Sequence, residues 1–406
     1  MINSTKNKKE LHAWLKKYFK KINEKLVEPP RLLGETSKYN AQQEEFEQLA
    51  QMLISRMFKA MLHPKEIKFS LVVNEISNAW AIWPADFYAV LVTTALAKNI
   101  QETCGQVETL MRQGERLPTG EPNLMRDLWS GMPYENRDYE SFGGLLAHIA
   151  YAFVVHHELA HIGLGHEAIL GGILSSNANS IIEEEVLALD ESRMCAPAAQ
   201  NADGSPSLSG QALEADADLN ALAYTIEFMQ LQQRKFLEKE VCFDDSQGIV
   251  WKDILTNKNK RWFAITAGVA VGLFCLINNF ESEKIDALDA RSHPPISARV
   301  MVMLHAIKIR YLNENPGAPF NLPDTLLFVV TLFGNLHMAK TRKAISIDEL
   351  IEKFLIKEAV EKFEEIGMHY EKLSTEMKLL DNKRRHLVRF EEYLCWQWYN
   401  GKAAGI

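Results

Sequence analysis

Val154-Val155-His156-His157-Glu158-Leu159-Ala160-His161-Ile162-Gly163-Leu164-Gly165-His166 is the stretch on which the reading of this chain turns. It ends a long apolar helical pattern over residues 141 to 166. On a helix, His157 and His161 stand one turn apart on the same side, with Cβ atoms about 5–6 Å apart. Both imidazoles can therefore reach one ion at the about 2.0–2.1 Å that zinc requires. Glu158 follows the first ligand directly, where a carboxylate can take a proton from an activated water. His-Glu-x-x-His is the zinc-hydrolase pattern, and with 12 histidines in 406 residues a chance match is on the order of a few per cent. The apolar setting strengthens it, because two histidines and a glutamate are costly to bury without a metal. His156 faces another side of the helix and reads as structural.

A catalytic zinc needs a third protein ligand and one open position. Gln211-Ala212-Leu213-Glu214-Ala215-Asp216-Ala217-Asp218 opens the next strong helical pattern, Gln211 to Glu238. Glu214 and Asp218 lie one turn apart there. Glu214 is a candidate ligand, and Asp218 a candidate partner for the second nitrogen of a ligand histidine. Asp216 reads as pointing away and solvated. Glu167 competes for the third position, although Leu164 stands where that zinc class has glycine. Glu183, Glu184 and Glu185 read as a solvated face. Tyr224 is a fallback donor to a developing oxyanion.

Outward from this centre the chain has ordinary globular composition, 47% hydrophobic and 24% charged, which excludes a disordered or low-complexity protein. The formal net charge of −8 provides no global basic field for nucleic acid. Five scattered cysteines with no Cys-x-x-Cys pair argue against a disulfide framework and for a reducing, cytoplasmic setting. The first ten residues have no apolar signal-peptide core. The longest apolar run, Trp262 to Ile277, has 16 residues, short of the roughly 20 that span a bilayer. It reads as a buried core helix, so membrane association is not favoured.

Residues 11 to 26 form a basic amphipathic pattern, and residues 1 to 26 hold eight lysines against two glutamates. Pro29-Pro30 and Gly34 mark a linker. Residues 41 to 63 look helical, Ile67 to Val73 and Ala79 to Ile82 look like strands, and Tyr88 to Ala97 fits a strand or a buried helix. Residues 115–138 and 196–210 are loop-like. Residues 297–312 and the charged 346–393 are helical, and an aromatic tail follows at Cys395 to Tyr399. The expected organisation is residues 1–45 as basic helix and linker, 46–320 as the core, and 321–406 as a helical C-terminal region.

Four segments together resemble one family: Asn78-Ala79-Trp80-Ala81-Ile82-Trp83-Pro84, the His157 to His166 segment, Glu214 to Asp218, and Ser292-His293-Pro294-Pro295-Ile296-Ser297-Ala298-Arg299. In order and type they are similar to the gluzincin metallopeptidases of the HtpX and CAAX-prenyl-endopeptidase kind, over roughly residues 65 to 312. The phage-exclusion peptidases of the Lit kind are a related likeness. The resemblance implies His157, His161 and Glu214 as Zn2+ ligands, Glu158 as base, and Asp218 behind a ligand. His166 falls where that family often has histidine. His293 would lie at the scissile carbonyl, Arg299 would anchor the substrate side of the site, and Asn78, Ala79 and Trp80 would lie along the substrate.

The expectation is an α+β, mostly α chain: a zincin-like metallopeptidase core with a small sheet and a C-terminal helical region. Its expected function is a zinc endopeptidase acting on a protein or peptide substrate, regulatory or phage-defensive, with no nucleic-acid partner. The contrasting class is an interaction protein with a zinc-binding but inactive core.

Overall fold

The computed structural model describes residues 31–32, 41–61, 65–73, 77–82, 87–112, 142–166, 208–238, 245–276, 296–317 and 319–341, with Leu11 and Ala13. Its elements in chain order are β1 (Arg31–Leu32), α1 (Ala41–Ala60), β2 (Ile67–Val73), β3 (Ala79–Ile82), β4 (Tyr88–Thr93), α2 (Thr94–Arg112), α3 (Phe142–Gly163), α4 (Leu208–Leu237), α5 (Asp245–Thr256), α6 (Lys258–Leu276), α7 (Ile296–Glu314) and α8 (Leu322–Thr341). The chain is mostly helical with one small mixed sheet, as its α+β patterning predicts.

The sheet runs in the order β1-β2-β4-β3. β2 and β4 are parallel, with Ile67 opposite Tyr88, while β3 is antiparallel to β4, with Ala79 opposite Val92. β3 is thus an edge strand among the described residues. The strand sequences are continuous apolar runs, IKFSLVV, AWAI and YAVLVT, buried on both faces, as strands covered by helices should be. One hydroxyl settles the ambiguous stretch from Tyr88 to Ala97. Thr93 Oγ1 accepts the Leu96 amide at 3.0 Å, so the strand ends there and α2 begins with an N-cap. The same oxygen accepts the Asn78 amide at 3.0 Å, which ties the start of β3 to the strand–helix junction.

α3 is the central element. Apart from Gly144 and His148, every residue from Phe142 to Gly163 is buried. A helix apolar on all sides must be enclosed on all sides, and α1, α2, α4, α6 and strand β3 all pack on it. Tyr151 donates its hydroxyl to the Ala97 carbonyl at 2.7 Å, and Glu108 accepts the Gly143 amide at 2.9 Å. These bonds fix α3 against α2 along its length and at its N-terminus.

The apolar run 262–277 forms most of α6, and none of the helices among the described residues is long and apolar enough to cross a membrane. α6 instead lies close against α3 through Gly268 and Gly272. A Cβ at 268 would fall 2.6 Å from Ile149 Cβ, and one at 272 would fall 2.9 Å from Phe153 Cδ1.

α8 joins the same core through Phe328, Phe333 and Leu336, and the Phe333 ring sits 5.4 Å from Phe274. The core therefore continues past the expected boundary at 320. Of the expected basic helix 11–26, only Leu11, which is buried, and Ala13 are described. The loops 115–138 and 196–210, the helical region 346–393 and the aromatic tail lie outside the described residues.

Gly268→Ala is expected to destabilise the protein by about 1–3 kcal/mol through overpacking against the Ile149 stem. Gly105→Ala, at a helix position with open space around the added methyl, should be neutral or mildly stabilising. Chemical denaturation of both variants checks the contrast.

Candidate metal centre

The centre is built where α3 crosses α4. Helical spacing puts His157 and His161 on the side of α3 that faces α4, and puts Glu214 and Asp218 on the side of α4 that faces α3. Glu214 Oε2 lies 3.3 Å from His157 Nε2, Glu214 Oε1 lies 3.3 Å from His161 Nε2, and the two Nε2 atoms are 3.2 Å apart. All three side chains are buried, and among the described residues they are the cluster whose donor atoms converge closely enough to hold a metal ion. Glu158, adjacent to His157, is buried beside them.

Each histidine is also held from behind. His157 Nδ1 lies 3.0 Å from Asp218 Oδ1. Asp218 is clasped in turn by Arg299 of α7, with Nε to Oδ2 at 2.6 Å and Nη2 to Oδ1 at 2.7 Å. Such a two-pronged guanidinium–carboxylate bond is short, strong and planar. Burial pushes the Asp218 carboxyl up, but Arg299 and His157 outweigh it and hold it below the usual carboxylate range. Arg299 therefore anchors the centre through the Asp218 carboxylate.

The second histidine has a different support. His161 Nδ1 is 2.8 Å from His166 Nδ1, and His166 Nε2 is 3.2 Å from Asp216 Oδ2. Asp216 is 1% exposed. This corrects the reading of Asp216 as solvated: its face of α4 is covered by the end of α3 and the turn after it. That turn exists because Gly165 has a φ of 70°, a left-handed conformation that costs glycine little. It brings His166 back beneath His161.

The electrostatics fit a cation. Burial opposes charging the His157 ring, yet Asp218 and Glu214 outweigh it and raise its pKa well above the ordinary 6.5. His161 is pulled down to about 4, by burial first, against the attraction of Glu214. His156 stands apart, as its position on the helix suggests. Its Nδ1 lies 3.1 Å from Thr225 Oγ1, which itself donates to the Ala221 carbonyl, and burial pulls its pKa down to about 3. The Tyr224 ring packs by His156, with centroids 5.7 Å apart.

Ala79 and Trp80 lie on the edge strand β3, and Asn78 just precedes it. Asn78 Oδ1 accepts the Ala79 amide at 2.9 Å. Trp80 is buried, and its indole Nε1 has no hydrogen-bond acceptor among the described residues. His293, Glu167 and Glu183 to Glu185 lie outside the described residues. Sequence reasoning missed the His166–Asp216 pair. The usable signal was Asn220 one turn after Asp216, a second polar side chain on the same face of an alanine-rich stretch. Comparison with protein-family models, curated proteins and solved structures finds no match.

A divalent ion should bind once per chain, and His157→Ala or Glu214→Ala should abolish tight binding. The neighbouring carboxylates favour the protonated form of His157, whereas burial favours the neutral form of His161. Uptake should therefore release about one proton per ion, and affinity should weaken as pH falls. Calorimetry in buffers of different ionisation enthalpy reads that proton; no dependence on buffer would contradict the assignment.

Proposed function

We propose that this protein is a zinc-dependent peptidase with a zincin-like core. The observation that carries the reading is the convergence of His157 Nε2, His161 Nε2 and the Glu214 carboxylate: the two nitrogens are 3.2 Å apart, and each lies 3.3 Å from a different oxygen of Glu214. A tetrahedral zinc with bonds of about 2.0–2.1 Å sets its ligands about 3.3–3.4 Å apart. Two neutral nitrogens and one carboxylate oxygen are a zinc donor set, and three protein donors leave the fourth vertex open, as catalytic rather than structural sites do.

When bound, zinc supplies Lewis acidity and brings the pKa of water near neutrality. The remaining work falls to the chain's own side chains. Glu158 takes the proton of the attacking water and returns it to the leaving amine. His157 and His161 are held to one orientation each, so no reorganisation is needed as charge develops. The edge strand β3 packs on α3 and would be the strand that pairs with an extended peptide. That register would make Asn78, Ala79 and Trp80 the substrate's neighbours. His293 is assigned to the carbonyl oxygen by the family resemblance alone.

Glu158→Gln tests the reading with the full-length, zinc-loaded chain and a mixed peptide library analysed by mass spectrometry. The variant should retain one zinc and lose cleavage by about 10²–10⁴-fold. Undiminished cleavage would overturn the role of Glu158. A zinc-bearing chain that cleaves nothing, and whose cellular effect survives the substitution, would favour an interaction protein instead.

A further inference from the structure

We propose that His166 and Asp216 form a positioning dyad that dictates which nitrogen of His161 faces the metal. This rests on the zinc reading above and adds two residues to it. The argument is one of hydrogen-bond direction. A histidine that binds a metal through Nε2 carries its proton on Nδ1. His161 Nδ1 lies 2.8 Å from His166 Nδ1, and two N–H groups cannot face each other at that distance. His166 must therefore present a bare Nδ1 and carry its own proton on Nε2. That proton points at Asp216 Oδ2, 3.2 Å away. A carboxylate only accepts, so it fixes the orientation: Asp216 accepts from His166, His166 accepts from His161, and His161 turns its lone pair on Nε2 to the ion.

Asn220 is the reference point of the chain. Its Nδ2 donates to the Asp216 carbonyl at 2.8 Å and to Asp216 Oδ1 at 3.1 Å. The donor on Oδ1 makes the near-isosteric Asp216→Asn informative. The new amide would keep its oxygen towards Asn220 and turn its NH2 towards His166 Nε2. His166 would then accept at Nε2, carry its proton on Nδ1, and force the proton of His161 onto Nε2, where it blocks coordination. The wrong-tautomer effect of an amide behind a catalytic histidine is the precedent in physical terms. His157 needs no such dyad, because Asp218 contacts it directly. Gly165 makes the arrangement possible, since its left-handed backbone returns His166 to α3.

The test is zinc affinity by chelator competition, with cobalt absorption as a second readout of ligand geometry, on the full chain and five variants. Asp216→Asn should weaken zinc by about 10–100-fold and should be worse than Asp216→Ala. A packing role predicts the opposite order, because asparagine preserves the shape. His166→Ala should also weaken zinc by about 10–100-fold. His166→Asn, whose Oδ1 can sit where Nδ1 was and accept from His161, should recover most of that loss. The His166 pair keeps the proposal falsifiable if an Asp216 variant fails to fold, which thermal melts of the metal-free proteins will reveal. Zinc binding of Asp216→Asn at least as tight as that of Asp216→Ala, or no recovery with His166→Asn, overturns the dyad while leaving the zinc site standing. Absence of zinc binding in the unaltered chain, or binding untouched by His157→Ala, overturns the site and the dyad with it.

Discussion

Two imidazole nitrogens 3.2 Å apart each lie 3.3 Å from one oxygen of the buried Glu214 carboxylate at the crossing of α3 and α4, and the rest of the structure serves that convergence. Two imidazoles and a carboxylate removed from water are expensive unless a charge or a proton reconciles them. A proton on His157 reconciles them in part, which is why the two carboxylates raise its pKa. A divalent cation does it more completely, because it meets all three lone pairs at once. The enclosed helix α3 supplies the rigidity. Its surroundings are close-packed against Ile149, Phe153 and Tyr151, and close-packed interiors transmit small displacements rather than absorbing them.

The two ligand histidines are supported asymmetrically. His157 rests on a carboxylate whose charge Arg299 cancels through two short bonds. His161 rests on His166, with Asp216 one residue further back. The two arrangements place different groups behind the two imidazoles. Arg299 also makes α7 part of the centre, so the positions of three helices must agree before the donors converge.

Local chemistry was legible in the sequence wherever a single helix could carry it. His157, Glu158 and His161 follow from a spacing, and so does the pairing of Glu214 with Asp218 on one face. That Glu214 meets the two histidines depends on the packing of α4 on α3, which no local pattern encodes. Asp216 was misread because an acid early in a helix is ordinarily solvated, and its burial depends on the turn that Gly165 allows. The stretch Tyr88 to Ala97 was ambiguous because its apolar residues suit either structure. The Thr93 hydroxyl decided it by capping α2. The strand Ala79–Ile82 was visible as a strand, but its place at the sheet edge came only from strand order.

The most direct test of the central claim is X-ray absorption at the zinc edge on the full-length chain reconstituted with one equivalent of metal. The account predicts a four-coordinate nitrogen and oxygen shell at about 2.0–2.1 Å, with outer-shell scattering from two imidazoles that falls to one in His161→Ala. A shell without imidazole scattering, or a spectrum unchanged by His161→Ala, would contradict it.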